Sequence, residues 1–283
     1  MIPAAFDYVR ASSLEEAIYF LHKDPDGTKL LAGGHTLIPT LKLRLATPAR
    51  LVDIGGIAEL QGIQITDRVI RIGALTRHAE LLASNELREV APIFSRAANR
   101  IADPQVRNRG TIGGSLANAD PAADWPAVVI ALKAELELVG NGIRHVAARD
   151  FFVDIFTTAL EPTEMLTAII VPRPVSGMRF AYRKIRHPAS GYAILGVAVG
   201  IHLKDGLVAD ASIGLTGVAN HAFEGRVATD TLIGKPLTTA NVEEAARLLS
   251  ENTECLSDHY ASAAYRASLI KTETRRALLE FGS

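Results

Sequence analysis

The sequence predicts an α+β chain, and three observations carry that assignment. Residues 1–56 alternate helix-like and strand-like runs. Two glycine-bearing turns, Gly140-Asn141-Gly142 and Lys204-Asp205-Gly206, each join a pair of strand-like runs and call for antiparallel hairpins. The chain closes on helical periodicity, over Asn241–Ser250 and His259–Phe281.

In order, Ser12-Ser13-Leu14-Glu15-Glu16 reads as a helix start with a capping box. Leu14, Ala17, Ile18 and Leu21 follow at helical spacing, and Asp24-Pro25-Asp26-Gly27 ends the run. Lys29–Ala32 is a short strand entering Gly33-Gly34. His35–Arg44 reads as a helix with Pro39 in its first turn. Leu51–Ile54 is a second strand, closed by Gly55-Gly56. Gly62–Ile65 and Val69–Ile72 form a hairpin around Thr66-Asp67-Arg68. Helices are expected at Thr76–Ala83 and over Glu86–Ile101, with Pro92 as a start or break. Val106–Gly110 leads to a second Gly-Gly loop at Gly113-Gly114, and the run from Trp125 to Lys133 is apolar and helix-like. Glu135–Val139 and Ile143–Ala147 flank the first glycine turn. Leu166–Val171 is a strand stopped by Pro172-Arg173-Pro174, which marks a domain boundary. Beyond it, Phe180–Arg186, Ala193–Leu203 and Leu207–Leu215 read as an antiparallel meander.

Composition narrows the function. At 48% hydrophobic and 22% charged, the chain has the material for a large core. A net charge of −1 offers no basic field for nucleic acid or an anionic membrane. No apolar run reaches the roughly 18 residues of a bilayer span, and no signal peptide is expected, so a cytoplasmic location is expected. One cysteine, Cys255, excludes an internal disulfide, an iron–sulfur cluster and a Cys-rich zinc site. No His-Glu-x-x-His string is present, so no metal ligand is assigned.

The two Gly-Gly stretches, Ala32–Pro39 and Thr111–Pro121, share one grammar. Each sets two glycines and a small polar residue (His35 or Ser115) before an apolar run. Such loops approach a ligand closely, and free N–H groups at a helix start suit phosphate. Two of them point to one extended ligand held from two sides. Neither matches Gly-x-Gly-x-x-Gly, and Gly234-Lys235-Pro236 is not a Walker loop. Gly113-Gly114-Ser115-Leu116-Ala117 departs from a nucleophile elbow at Ala117, which favours a binding role for Ser115. Asp120 and Asp124 read as candidate catalytic carboxylates, with a helix cap as the other reading of Asp124, and Tyr192 as a ring at a strand entry or a packing residue.

These strings also carry a family resemblance. Ala32-Gly33-Gly34-His35-Thr36-Leu37-Ile38-Pro39 resembles the first flavin loop of the FAD-binding subunits of molybdenum hydroxylases, the xanthine and carbon monoxide dehydrogenase family. Pro104-Gln105-Val106-Arg107-Asn108-Arg109-Gly110-Thr111-Ile112-Gly113-Gly114-Ser115 resembles the second, and the resemblance runs the length of the chain. It implies a p-cresol-methylhydroxylase-type FAD-binding fold of two α+β subdomains, about 1–56 and 57–174, then a C-terminal domain, 175–283, with a three-stranded antiparallel sheet and helices. It implies cofactor contacts from Leu31, Ala32, Gly33, Gly34, His35, Thr36, Leu37 and Ile38, and from Thr111, Ile112, Gly113, Gly114 and Ser115. Ile101 and Asp124 match further contacts, Leu166 and Lys184 lie at matching positions nearby, and Tyr192 falls where the chain approaches the flavin ring. His35, Thr36 and Asn118 stand where relatives often carry Gln, Ser and His. No catalytic residue is implied. Molybdopterin and 2Fe–2S clusters would sit on a large and a small partner subunit, in a dimer of heterotrimers, with this chain relaying electrons from the clusters to an external acceptor. Carbon monoxide dehydrogenase is the nearest type, with aldehyde or N-heterocycle dehydrogenases beside it. A self-contained flavin reductase and a non-redox nucleotide-binding scaffold are the alternatives.

Overall fold

The computed structural model describes residues 2–282 and is built on three main sheets. The first unit comprises β1 (Asp7–Arg10), α1 (Leu14–Lys23), β2 (Thr28–Leu31), α2 (Leu37–Lys42) and β3 (Arg50–Asp53). Its strands lie in the order β1-β3-β2, all parallel. Parallel neighbours need crossovers, which α1 and α2 supply. Ser13 caps α1 by accepting from the Glu16 N–H, while the Glu16 carboxylate takes the Ser12 N–H and hydroxyl. The register sets Arg10 and Leu31 level with Asp53, so three strand C-termini open on one edge.

The second unit follows with β4 (Ile63–Ile65), β5 (Val69–Gly73), α3 (His78–Ala83), α4 (Asn85–Val90), α5 (Ile93–Ala98), α6 (Pro104–Arg107), α7 (Ile112–Asn118) and α8 (Asp124–Ala131). It ends with β6 (Glu135–Val139), β7 (Ile143–Ala147), α9 (Ala148–Phe151), β8 (Phe152–Asp154), β9 (Thr157–Thr158) and β10 (Met165–Pro172). The antiparallel sheet runs β4-β5-β10-β6-β7. Last in sequence, β10 sits at its centre, which explains its nearly unbroken burial.

The third unit holds β11 (Met178–Arg186), β12 (Ala193–Lys204), β13 (Leu207–Thr216), β14 (Phe223–Glu224), α10 (Arg226–Leu232), α11 (Thr239–Glu251) and α12 (Ala263–Leu279). The three expected strands form its sheet, and the two-residue β14 adds a short fourth. Both faces are covered. Ala181, Val197 and Val199 join the core under α10–α12, while their neighbours Phe180, Tyr182 and Ala198 join the core of the second unit. That alternation is the two-residue period of a strand.

Between these two cores lies α8, Asp-Trp-Pro-Ala-Val-Val-Ile-Ala, with every residue buried. A helix apolar on all sides needs cover on all sides. On its outer side β13 presents alternate small residues. Ser212 donates to the Ala131 carbonyl and Thr216 bonds the Pro121 and Ala123 carbonyls. A side chain at Gly214 would put Cβ 2.0 Å from the Ala127 oxygen, so only glycine lets strand and helix approach this closely.

Candidate functional site

A cleft of about 600 Å³ opens at the strand C-termini of the parallel sheet, between the first two units. The outside of the carboxyl ends of parallel strands is where open α/β sheets place ligands. One wall is the loop after β2, with Leu31–His35, Ile38 and Pro39 lining the cleft. Gly34 there has φ 74°, a left-handed conformation that turns the chain into α2. Among the described residues, the backbone N–H groups of Gly33, Gly34, His35, Thr36 and Leu37 have no protein acceptor; the first helical bond is Ile38 N–H to the Gly34 carbonyl. Consecutive unpaired N–H groups around a left-handed residue form an anion-binding concavity.

The second stretch differs from the expected loop. Gly113 and Gly114 lie inside α7, capped by Thr111, whose hydroxyl accepts from the Gly114 N–H. The other N–H groups at this end are taken up as well. Ile112 donates to Thr76 O, Gly113 to Ala74 O and Ser115 to Thr111 O. Glycine is a poor helix former, and the helix forms here because the 74–78 segment pairs with it. Gly113 is needed for that pairing, since its Cβ would meet the Ala74 Cβ at 2.4 Å. The two stretches do meet, in backbone contact. A Cβ on Gly33 would lie 2.2 Å from the Arg109 carbonyl oxygen. The amide-rich wall therefore comes from the first stretch, and the second buttresses it and contributes Thr111.

The remaining sequence-predicted residues fall into three places. Ile101 and Leu166 are buried in the core of the second unit. Asp124 and Lys184 form an ion pair of 2.7 Å with side chains 6% and 1% exposed. Tyr182 also donates to Asp124, and the Lys184 ammonium donates to the Arg100 carbonyl. Burial pushes the Asp124 carboxyl up and the Lys184 amine down, and their mutual contact opposes both shifts. Tyr192 lines a second cleft of about 370 Å³ with Asp120, His187 and Tyr260.

Sequence reasoning did not single out Arg10, Asp53, Arg77 and Arg109, which also line the first cleft. Their signal was weak, because each belongs to a different element and only the register of β1 with β3 joins the first two. His78 is buried behind Gly110, and its Nδ1 accepts from the Trp125 indole N–H at 3.0 Å. The neutral ring therefore carries its proton on Nε2.

Burial, reinforced by His35 and Arg107, pushes the His78 pKa from 6.5 down to about 4. The folded state disfavours the charged ring, so its contribution is complete above pH 6.5 and is lost as pH falls towards 4. Between pH 7 and 4 this residue alone is expected to cost about 3 kcal/mol of stability. Urea unfolding of the wild type and His78→Gln across that range checks it: the variant lacks this part of the slope.

The description "FAD binding domain in molybdopterin dehydrogenase" belongs to the family model that matches residues 4–174. The chain belongs to that family. A second model, the CO dehydrogenase flavoprotein C-terminal domain, matches residues 180–281. The carbon monoxide dehydrogenase medium chain of Afipia carboxidovorans is 41% identical over 279 residues, which cover 98% of this chain and 97% of that one. The glyceraldehyde dehydrogenase medium chain of Sulfolobus acidocaldarius is 39% identical, with 99% of each chain covered. Among solved structures, reconstituted CO dehydrogenase from Oligotropha carboxidovorans superposes with a TM-score of 0.95 at 41% identity, covering 98% of both chains. This FAD-binding medium subunit of the molybdenum hydroxylases therefore has the expected α+β fold along its length, and its relatives are oxidoreductase subunits. Among its described residues, no helix is long and apolar enough to cross a membrane.

Proposed function

We propose that this subunit holds FAD between its first two units and relays electrons from 2Fe–2S clusters on a small partner to an external acceptor. Substrate oxidation would occur at molybdopterin on a large partner. The observation that carries the cofactor assignment is the run of unpaired N–H groups that begins with Gly33, Gly34 and His35 on the wall of the cleft and continues through Thr36 and Leu37. A diphosphate is doubly anionic and needs several convergent donors, and this wall supplies them without a side chain. Bound FAD supplies a two-electron store that can be filled and emptied one electron at a time.

The chain's own residues would bind and orient that store. Leu31–Ile38 hold the diphosphate, with Thr111–Ser115 beside them. Asp124 serves the adenosine side, with Ile101, Leu166 and Lys184 nearby, and Tyr192 faces the ring. No residue is assigned general acid or base work. The unit boundaries proposed are 1–174 for FAD binding, divided near 56, and 175–283 for the C-terminal flavoprotein domain. A dimer of heterotrimers of CO dehydrogenase type, in the cytoplasm, is the proposed assembly.

Co-purification with the partner subunits tests this reading. The expected complex contains one FAD per copy of this chain, together with molybdenum and iron, and adding substrate bleaches the flavin bands. Sustained turnover of a small substrate by this chain alone would favour a self-contained reductase instead.

A further inference from the structure

We propose that Arg10, Arg77 and Arg109 form a cofactor-binding rim that clamps the FAD diphosphate against the Gly33–Leu37 wall. The proposal rests on the FAD reading of the same cleft. The three arginines come from separate parts of the chain. Arg10 ends β1, Arg77 precedes α3, and Arg109 stands two residues before Thr111, the cap of α7. The fold brings all three to the lining of one cleft.

All three are solvent-exposed. Among the described residues, none of their guanidinium groups donates a hydrogen bond or joins an ion pair, whereas Arg144, Arg183, Arg247 and Arg266 are each paired with carboxylates. The acidic residue in the cleft, Asp53, is already occupied: its carboxylate accepts from the Tyr8 hydroxyl at 2.6 Å and the Gly55 N–H at 2.8 Å. Three arginines thus line a cleft that holds one engaged carboxylate, in a chain whose net charge is −1. They share the cleft with a row of unpaired N–H groups that also seek an anion. Guanidinium is the side chain best shaped to grip phosphate oxygens in pairs. The two donor sets together fit a diphosphate, which makes the rim selective for FAD and ADP over riboflavin.

The test titrates the flavin-free full chain with FAD, ADP and riboflavin at low and moderate salt. The variants are Arg77→Gln, Arg109→Gln, the double variant, and the two lysine substitutions. Each Gln substitution is expected to weaken FAD and ADP about tenfold or more, the worth of one charge-assisted bond. Riboflavin binding stays at its wild-type level. The salt dependence of FAD binding flattens in the double variant, because fewer charges remain to be screened. Lysine retains part of the affinity. The melting temperature of the flavin-free protein is unchanged, as expected for exposed, unpaired side chains.

FAD and ADP affinities equal to wild type in the double variant, with the same salt dependence, would overturn the rim. So would loss of a partner subunit with FAD affinity intact, which would make these arginines a docking surface for an acidic protein. A wild-type chain that takes up no flavin would defeat the FAD reading and this inference with it; uptake by wild type and variants alike defeats the inference alone.

Discussion

A Gly33→Val chain is expected to fold and to be colourless. The new Cβ would sit 2.2 Å from the Arg109 carbonyl oxygen and 3.0 Å from the Gly110 Cα. Both are backbone atoms, so no side chain can swing aside to relieve the clash. The amide wall and the segment behind it must separate, which displaces the unpaired N–H groups of Gly33, Gly34 and His35 that line the cleft. FAD affinity is expected to fall at least a hundredfold, because several donors lose their common focus at once. The cores of the second and third units lie elsewhere, so circular dichroism should remain that of the wild type. Gly34→Ala is the graded companion. At φ 74° it strains the backbone by about 1–2 kcal/mol. Its neighbours are the side-chain ends of Ile38 and Leu31, at 3.2 and 3.3 Å, which can shift. It should weaken FAD binding less. The flavin-to-protein ratio after purification reads both variants, and a yellow Gly33→Val protein would remove this wall as the cofactor site.

Asp124→Ala is expected to destabilise the subunit by about 3–5 kcal/mol. Lys184 would be left with its ammonium group buried and its charged partner gone, the costly half of a broken buried pair. The lost contact joins the first turn of α8 to β11, so the damage falls where the second and third units meet. Lys184→Met alone strands the carboxylate and should cost less, since Tyr182 still donates to it. The double variant Asp124→Asn with Lys184→Met removes both charges and should recover much of the loss. Denaturant unfolding of Asp124→Asn, Lys184→Met and the double gives the coupling directly. Strict additivity would show that the pair is not a linked unit.

Much of the fold was legible because local chemistry declared it. Ser13 and Glu16, the glycine turns at 140–142 and 204–206, and the break at Pro92 all fall where the structure uses them. What stayed hidden depends on distant partners. Asp7–Arg10 has no strand pattern of its own and is extended because it pairs with Arg50–Asp53. The helix over Ile112–Asn118 contradicts the preference of its two glycines and is held by the 74–78 segment. Arg226–Leu232 is a helix that the pattern did not mark, and it packs against β13. The site was legible to the same degree. Gly33–Ile38 announced a close backbone approach, but nothing local distinguishes an unpaired arginine from a solvated one. Arg10, Arg77 and Arg109 became visible only once three elements converged.

The fully buried α8 bears on how this protein can be rebuilt. The two family models part between residues 174 and 180, yet Phe180, Tyr182, Ala198 and Ala222 complete the core on the earlier side of that line. A fragment ending there would present the β13-facing side of α8 to water, an apolar strip prone to self-association. Chimaeras that borrow a C-terminal segment from a relative must therefore match it to this helix. Gly214 in the graft has to meet the host's Ala127 backbone, and Lys184 its Asp124, so the unit of exchange is the helix together with the sheet that covers it.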